Sequence, residues 1–382
     1  MRSSYLVFGN PLIEEDEINE VVETLRSGWI GTGPKVAKFE DQFKEYVGAK
    51  YAVAVASCTA GLHLSVISLG LGAGDEVLVP VLTFAATANA VIHSGATPVF
   101  VDVDPESMTI DLEDAARKIT PKTKGIIPVH FAGRACDMKK IYELASKYNL
   151  KVINDTAHAI ETEYEGNRLG GFQDIASYSF YVTKNLTTSE GGMVTTNNEE
   201  IANKIKILAL HGMSKDAWKR FSDDGYKHYE VVYPGFKYNM TDIQAALGLH
   251  QLKKIDKMYE RRKQIWDYYK SELKDLPLIL PGEATHGTKH GYHLFIILID
   301  TDKTKLTRDE VILGLHKLKI GTGVHYRALH CHPYYQEAFG YKPGDFPNAE
   351  FVSDRTLSIP FSPKLSDDDV KDVVEALKEV FR

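Results

Sequence analysis

The sequence is poor in cysteine, with three in 382 residues, at Cys58, Cys136 and Cys331. An odd number of widely spaced cysteines fits neither a disulfide framework nor paired zinc knuckles, and it favours a reducing compartment. The sequence also lacks any uncharged apolar stretch near the ~20 residues that a membrane-spanning helix needs. Residues 1–10 contain no apolar run of signal-peptide length. We therefore predict a soluble, cytoplasmic protein.

An excess of positive charge is lacking as well. The formal net charge is −7, and an acidic surface releases no counterions on binding nucleic acid or an anionic membrane, so we expect neither as a partner. Hydrophobic residues make up 43% and charged residues 25%, as in ordinary globular proteins. A chain of 382 residues is longer than a single domain usually is. These features predict a large α/β core with a smaller companion domain.

Short apolar segments alternate with helical ones from residue 51 onward. The predicted strands include Ala52–Val55, Glu76–Val79, Pro98–Val101, Gly125–Val129 and Lys151–Asp155. Such alternation is typical of a mostly parallel sheet flanked by helices. Because ligands of open α/β sheets bind beyond the carboxyl ends of the strands, we expect the functional residues just after these segments.

A charged helical stretch after residue 254 marks the predicted domain boundary. We expect a large domain over residues 12–254 and a small C-terminal α+β domain over residues 255–382. Within the small domain, His293–Ile299 reads as a buried strand. Residues 1–11 are expected to pack with the small domain.

Lys184 follows an apolar and aromatic run from Ile175 to Val182. An amine at the end of a buried strand is partly desolvated, which lowers its pKa and makes it a nucleophile that can form an imine with an aldehyde. The plainer alternative is a solvated surface lysine. Lys184 is therefore a candidate for covalent attachment of an aldehyde cofactor.

Asp155 ends the predicted strand Lys151–Asp155, 29 residues before Lys184. A carboxylate at a buried strand end needs a positive partner. The protonated ring nitrogen of pyridoxal 5'-phosphate (PLP) is such a partner, and pairing it with an aspartate makes the ring an electron sink. Capping of a following helix is the alternative role for Asp155. His158 can donate to the cofactor oxygen O3' or to Asp155, or it is a core histidine.

A turn from strand to helix at Ser57–Ala60 can bind a phosphate. Backbone N–H groups at a helix N-terminus attract anions, and Thr59 adds a hydroxyl. Ordinary N-capping by Ser57 or Thr59 explains the same residues. Ser179 can supply a further phosphate donor, and Phe84 can either stack on a pyridine ring or belong to the core.

Several longer segments resemble the DegT/DnrJ/EryC1/StrS family of PLP-dependent nucleotide-sugar aminotransferases, and the resemblance extends nearly from end to end. The segments are Ser27–Pro34, Gly74–Val77, Thr87–Ala90, Gly95–Asp104, Pro128–His130 and Met240–Ala246. Two others, Pro234–Asn239 and Gly321–Arg327, are similar to the branch of the family that aminates UDP-4-keto-pentoses.

The resemblance implies a fold-type I PLP enzyme with a mostly parallel seven-stranded sheet. It implies a homodimer in which Lys237 or Asn239 of the neighbouring subunit completes the phosphate site. It also implies roles for the matched positions: Lys184 as the Schiff-base lysine, Asp155 on the pyridine nitrogen, His158 beside O3', Phe84 on the ring face, and Cys58, Thr59, Ala60 and Ser179 around the phosphate.

The expected reaction is a transamination. L-Glutamate leaves its amino group on the cofactor, giving pyridoxamine 5'-phosphate and 2-oxoglutarate, and the amino group then passes to a ketone. The resemblance implies that this ketone is C4 of a nucleotide-linked ketosugar used for polysaccharide, lipopolysaccharide or related amino sugars. A diphosphate needs donors and positive charge, so the expected substrate contacts are Trp29, Gly31, Thr32, His325, Tyr326, Arg327 and His330. No metal site is expected, because His325, His330 and His332 are spaced with no other ligand except Cys331.

Two other classes of protein stay open. A PLP-dependent lyase or dehydratase can use the same fold, although the resemblance implies that the dehydratase branch carries histidine in place of Lys184. A non-catalytic regulator is the second alternative, and the presence of both Lys184 and Asp155 argues against it.

Overall fold

The computed structural model describes residues 2–172, 175–214 and 229–382. The strands, in chain order, are β1 Tyr51–Val55, β2 Glu76–Pro80, β3 Thr97–Val101, β4 Thr123–Ile126, β5 Lys151–Asp155, β6 Glu163–Tyr164, β7 Asn167–Arg168, β8 Ile175–Ser179, β9 Gly192–Thr196, β10 Leu278–Ile279, β11 Thr288–Lys289, β12 Phe295–Ile299 and β13 Thr356–Ile359.

The helices cover both faces of the main sheet and the small C-terminal sheet. In chain order they are α1 Glu15–Ser27, α2 Pro34–Val47, α3 Cys58–Ser68, α4 Ala85–His93, α5 Leu112–Lys118, α6 Met138–Tyr148, α7 Glu199–Ala209, α8 Asp242–Lys253, α9 Ile255–Glu272, α10 Arg308–Lys317, α11 Pro333–Phe339, α12 Pro347–Arg355 and α13 Asp367–Val380. Among the described residues, none of these helices is long and apolar enough to cross a membrane.

The main sheet has seven strands in the order β1-β9-β8-β5-β4-β2-β3. Neighbours from β8 to β3 are parallel, whereas β9 runs antiparallel to both β1 and β8. The predicted mostly parallel seven-stranded sheet with flanking helices is therefore confirmed. At the carboxyl edge, Asp155 of β5 pairs with Ser177 of β8. This register brings the segments that follow the two strands together.

The ends of the helices follow from local sequence. At the C-terminus of α1, Gly28 adopts a φ of 75° and its N–H donates to the Leu25 carbonyl, a conformation that glycine adopts without strain. Ser57 caps α3 by accepting from the Ala60 N–H. Pro34 and Gly48 bound α2, a helix that the sequence reasoning missed.

A second, three-stranded sheet, β10-β12-β13, lies in the C-terminal part of the chain. Its buried face packs with apolar residues of α9, α10 and α13. The N-terminal segment joins this region, because Leu6 forms a bridge with Ile320 and its side chain lies in the same core. A third small sheet, β11-β6-β7, connects residues on both sides of position 254.

Candidate active site

A cavity of about 520 Å³ lies beyond the carboxyl ends of β1, β2, β5 and β8. This is the edge at which ligands of open α/β sheets bind. The cavity brings together nine of the residues that the sequence predicted. They are Cys58, Thr59, Phe84, Asp155, His158, Ser179, Lys184, His325 and Tyr326.

Asp155, the last residue of β5, is 4% exposed. Its carboxylate accepts hydrogen bonds from Thr87 Oγ1 at 2.8 Å and from the Ala157 N–H at 3.1 Å. No helix follows Asp155 directly, so the capping alternative is wrong. Burial raises the pKa of the carboxyl group, and the charge of Lys184 opposes this rise. No described side chain forms a salt bridge with it. The site therefore contains a buried carboxylate that lacks a contacting cation.

Lys184 lies in the loop after β8, where its backbone N–H donates to the Tyr181 carbonyl at 2.9 Å. Its side chain is only partly exposed and lines the cavity together with Asp155. Burial lowers the pKa of the amine to about 8. About a tenth of the amine is therefore neutral, and nucleophilic, at pH 7, far more than of an ordinary lysine.

The first turn of α3 has two backbone donors that are available to an anion. No described residue accepts from the backbone N–H of Cys58 or Thr59, whereas the Ala60 N–H already donates to Ser57 Oγ at 3.1 Å. The phosphate contact by Ala60 stays a prediction, and its amide would have to share its proton with Ser57 Oγ. Gly192 approaches this turn so closely that a Cβ there would lie 2.7 Å from the Cys58 nitrogen.

The aromatic walls of the cavity come from four parts of the chain. Phe84, at the start of α4, is 60% exposed, so it is not the core phenylalanine of the alternative interpretation. Its ring centroid lies 5.9 Å from that of Tyr326. The His158 ring lies 4.4 Å from the His293 ring, and burial lowers the pKa of both imidazoles well below their ordinary value. Both histidines are therefore neutral rings.

The predicted loop from Trp29 to Thr32 does not reach this cavity within one chain. Trp29 and Thr32 line a different cavity of about 560 Å³ together with Asn239, whose Nδ2 donates to Thr32 Oγ1 at 2.6 Å. The Gly31 carbonyl accepts from the Asp242 N–H. Lys237 is exposed and also lies outside the cavity that contains Lys184.

Two predicted substrate contacts are not available at the cavity. His330 is fully buried and its Nε2 lies 2.8 Å from Glu350 Oε1, so its assignment as a substrate ligand is wrong. Arg327 is exposed, and its guanidinium donates to the Cys331 carbonyl at 2.8 Å rather than entering the cavity. Both lie beyond the turn at His325 and Tyr326, where the chain leaves the site.

The sequence reasoning missed several residues that support the site. Thr87 holds Asp155, and its segment was noted only as part of the resemblance. His293 was treated as the start of a strand, yet its Nδ1 lies 2.9 Å from Asn185 Oδ1 and its ring lines the cavity. Neither role has a local signal, because each depends on a contact between distant segments.

The arrangement fits PLP on the chemistry of its donors. A buried carboxylate without a contacting cation suits a pyridinium, two free N–H groups at a helix N-terminus suit a phosphate, and a depressed lysine pKa suits attachment to an aldehyde. The exposed face of Phe84 suits an aromatic ring. These groups line one cavity at one edge of the sheet.

Comparison with known proteins agrees with this chemistry. The model of the DegT/DnrJ/EryC1/StrS aminotransferase family matches residues 11–378. The chain is 49% identical over 382 residues to the spore coat polysaccharide biosynthesis protein SpsC of Bacillus subtilis, covering 100% of this chain and 98% of SpsC. It is 52% identical over 380 residues to the uncharacterized protein MJ1066 of Methanocaldococcus jannaschii, covering 100% of this chain and 98% of MJ1066.

A solved structure shares the fold over almost the whole chain. The putative sugar aminotransferase Spr1654 of Streptococcus pneumoniae, in its PLP form, superposes with a TM-score of 0.90 at 34% identity, covering 98% of each chain. The same protein has been solved in a pyridoxamine-phosphate (PMP) form.

Proposed function

Because the chain belongs to the DegT/DnrJ/EryC1/StrS aminotransferase family, and is a PLP-dependent sugar aminotransferase, we propose that it transfers the amino group of L-glutamate to C4 of a nucleotide-linked ketosugar. The observation that carries this proposal is the shared cavity of Lys184 and Asp155, an amine with a lowered pKa and a buried carboxylate that forms no ion pair with any described residue. The UDP-4-keto-pentose branch is the specific substrate class proposed.

When bound, PLP supplies an electron-withdrawing ring that stabilises negative charge at the carbon losing a proton. Asp155, held by Thr87 and the Ala157 N–H, would keep the ring nitrogen protonated. The free N–H groups of Cys58 and Thr59, with Ser179, would hold the phosphate. Phe84 would cover one face of the ring.

Lys184 has two tasks in this proposal. It would attach the cofactor, and after release its Nζ would take the proton from Cα of the amino donor. A pKa of about 8 matches an acid–base group that must be neutral in one step and protonated in the next.

We propose a homodimer that shares its active sites. Trp29, Ile30 and Val231 are large apolar side chains that are 50%, 48% and 65% exposed, and exposed apolar side chains suit an interface. Lys237 and Asn239 lie outside the Lys184 cavity of their own chain, which supports a role for one of them at the neighbour's phosphate site. The Trp29–Thr32 loop would likewise contact the sugar substrate in the neighbour's active site. His325 would contact the substrate bound in its own chain.

SpsC is described as a spore coat polysaccharide biosynthesis protein. On that basis we propose that the amino sugar made here is used for a cell-surface polysaccharide, lipopolysaccharide or a related glycan. The three widely spaced cysteines favour a reducing compartment, so a cytoplasmic enzyme is proposed.

The test is a substrate panel. Purified protein loaded with PLP is mixed with L-glutamate and UDP-, dTDP- or GDP-linked 4-ketosugars, and 2-oxoglutarate release is measured together with the aminated sugar. We expect turnover with at least one 4-ketosugar, and none with Lys184→Ala. Activity on a small amino acid without any response to ketosugars would support the lyase alternative, and retained turnover in Lys184→Ala would contradict the role of the lysine.

A further inference from the structure

Both ring nitrogens of His158 already contact groups of the protein. The Ala132 backbone N–H donates to Nδ1 at 3.2 Å, and the Tyr326 hydroxyl oxygen lies 3.2 Å from Nε2. A ring nitrogen that accepts a hydrogen bond carries no proton, and burial keeps this imidazole neutral. The single ring proton is therefore on Nε2, and Nε2–H donates to the Tyr326 oxygen.

The Tyr326 hydroxyl consequently keeps its own proton free to donate. Burial raises the pKa of this phenol, so it stays protonated at neutral pH. Among the residues that the structure describes, none accepts this proton. The Tyr326 ring lines the cavity between Phe84 and His158, with centroid distances of 5.9 Å and 6.1 Å. The unused donor belongs to the wall of the cavity.

The second histidine holds the first one in place. Asn185 Nδ2 donates to Glu161 Oε2 at 2.7 Å and to the Gly291 carbonyl at 2.8 Å, so its Oδ1 must face His293. His293 Nδ1–H donates to that oxygen, which makes His293 the opposite tautomer to His158. The two neutral rings pack at 4.4 Å with an angle of 34° between their planes. Rotation of His158 toward another partner would break this packing.

We propose that Tyr326 is a catalytic residue whose hydroxyl donates a hydrogen bond to O3', the phenolic oxygen of the bound cofactor. His158 is then a positioning residue that acts through Tyr326, and the direct contact to O3' predicted for His158 is replaced. Tyr326, which was predicted to contact the nucleotide sugar, is thereby assigned to the cofactor. This inference rests on the proposed cofactor site.

The physical consequence concerns the nitrogen through which Lys184 attaches the cofactor. An oxygen that accepts a hydrogen bond from Tyr326 holds its negative charge more strongly and attracts the neighbouring nitrogen-bound proton less. Removal of the donor therefore raises the pKa of that nitrogen. A hydrogen bond to a charged group contributes enough for a shift of about one to two pH units.

The first test is a pH titration of the visible absorption of the PLP-loaded protein. We expect Tyr326→Phe to raise the titration midpoint by about one to two units. Tyr335→Phe is the matched control, since its buried hydroxyl donates to Asn89 Oδ1 at 2.9 Å, outside the cavity, and its midpoint should equal that of the wild type. A Tyr326→Phe midpoint equal to that of Tyr335→Phe overturns the proposal.

The second test needs no cofactor and no activity. In protein labelled with ¹⁵N histidine, we expect the His158 signals of the Nε2–H tautomer, identified by their loss in His158→Gln. An Nδ1–H or charged His158 overturns the argument for a free Tyr326 proton.

The failures of the two proposals are distinct. If the wild-type protein gives no cofactor absorption, the site itself is wrong. If the absorption and its midpoint are unchanged in Tyr326→Phe while KM for the ketosugar rises, the cofactor site stands and the Tyr326 hydroxyl contacts substrate, which overturns only this inference.

Discussion

Asp155 and Glu161 are two carboxylates six residues apart, and they are 4% and 0% exposed. Glu161 forms a buried ion pair with Arg262 of α9 and accepts from the Asn185 amide. Among the residues that the structure describes, the Asp155 carboxylate accepts only from neutral donors, the Thr87 hydroxyl and the Ala157 N–H. Burial raises the pKa of both groups, but in Glu161 the Arg262 charge is the main effect that opposes the rise.

The difference shows how a structural carboxylate can be told from a functional one. A buried charge is costly unless a partner compensates it. The chain itself supplies the cation for Glu161. Their ion pair joins the segment after β5 to α9. No cation in the described part of the chain contacts the Asp155 carboxylate, so its partner is expected to be a ligand. The nature of the partner, and not the degree of burial, distinguishes the two sites.

Asp155→Asn should reduce kcat/KM most. The amide cannot hold a pyridinium, and loss of one partner of a buried charge pair costs about 3–5 kcal/mol, or roughly 10²–10⁴-fold in rate. The melting temperature of the cofactor-free protein should not fall, because no internal ion pair is lost. Steady-state kinetics and thermal unfolding measure the two effects. A lower melting temperature of the cofactor-free Asp155→Asn protein would contradict the view that Asp155, unlike Glu161, has no structural role.

Arg262→Met should affect stability instead. It leaves Glu161 buried without its cation, which we expect to lower the free energy of unfolding by about 3 kcal/mol in chemical denaturation. Arg261→Met is the matched control, because Arg261 pairs with the exposed Asp367 and such pairs contribute below about 1 kcal/mol. Equal effects of the two substitutions would contradict the structural role of the Glu161 ion pair.

The rate of PLP attachment to the cofactor-free protein should depend on pH through Lys184. Only the neutral amine reacts, and its pKa is lowered from 10.5 to about 8. The second-order rate should therefore rise roughly tenfold per pH unit below pH 8 and level off above it. Because the charge of Asp155 raises the pKa of Lys184, Asp155→Asn should move this profile to lower pH. A wild-type profile that still rises near pH 10 would mean a solvated lysine.

Thr87→Val should give the smallest effect. It removes one donor from Asp155 and should lower kcat/KM roughly fivefold, about 1 kcal/mol. Thr83→Val is the control and should cost less, since the one hydrogen-bond partner of Thr83 Oγ1 among the described residues is Thr87 Oγ1, at 2.9 Å. A larger loss in Thr83→Val would place the supporting hydrogen bond elsewhere.

Local sequence predicted the elements that carry the site. The strand Lys151–Asp155 has the predicted bounds because its apolar run is short and ends in a charged residue. The mostly parallel sheet followed from alternating strands and helices. The antiparallel β9 was missed, because the direction of a strand depends on its partners.

Contacts between distant segments could not be read from the sequence. Glu161 and Arg262 are 101 positions apart, and nothing near either residue indicates the other. His330 was wrongly placed among the substrate ligands, because its contact with Glu350 of α12 joins residues 20 positions apart and has no local signal. Phe84 was ambiguous between core and cavity, since an aromatic side chain suits both until its exposure is known.

The most direct test of the account is the protonation of the cofactor's ring nitrogen. In protein loaded with PLP labelled with ¹⁵N in the ring, we predict a protonated nitrogen by NMR at a pH where free PLP has lost this proton, and loss of that signal in Asp155→Asn. An unprotonated ring nitrogen in the wild type at that pH would contradict the assignment of Asp155 as its partner.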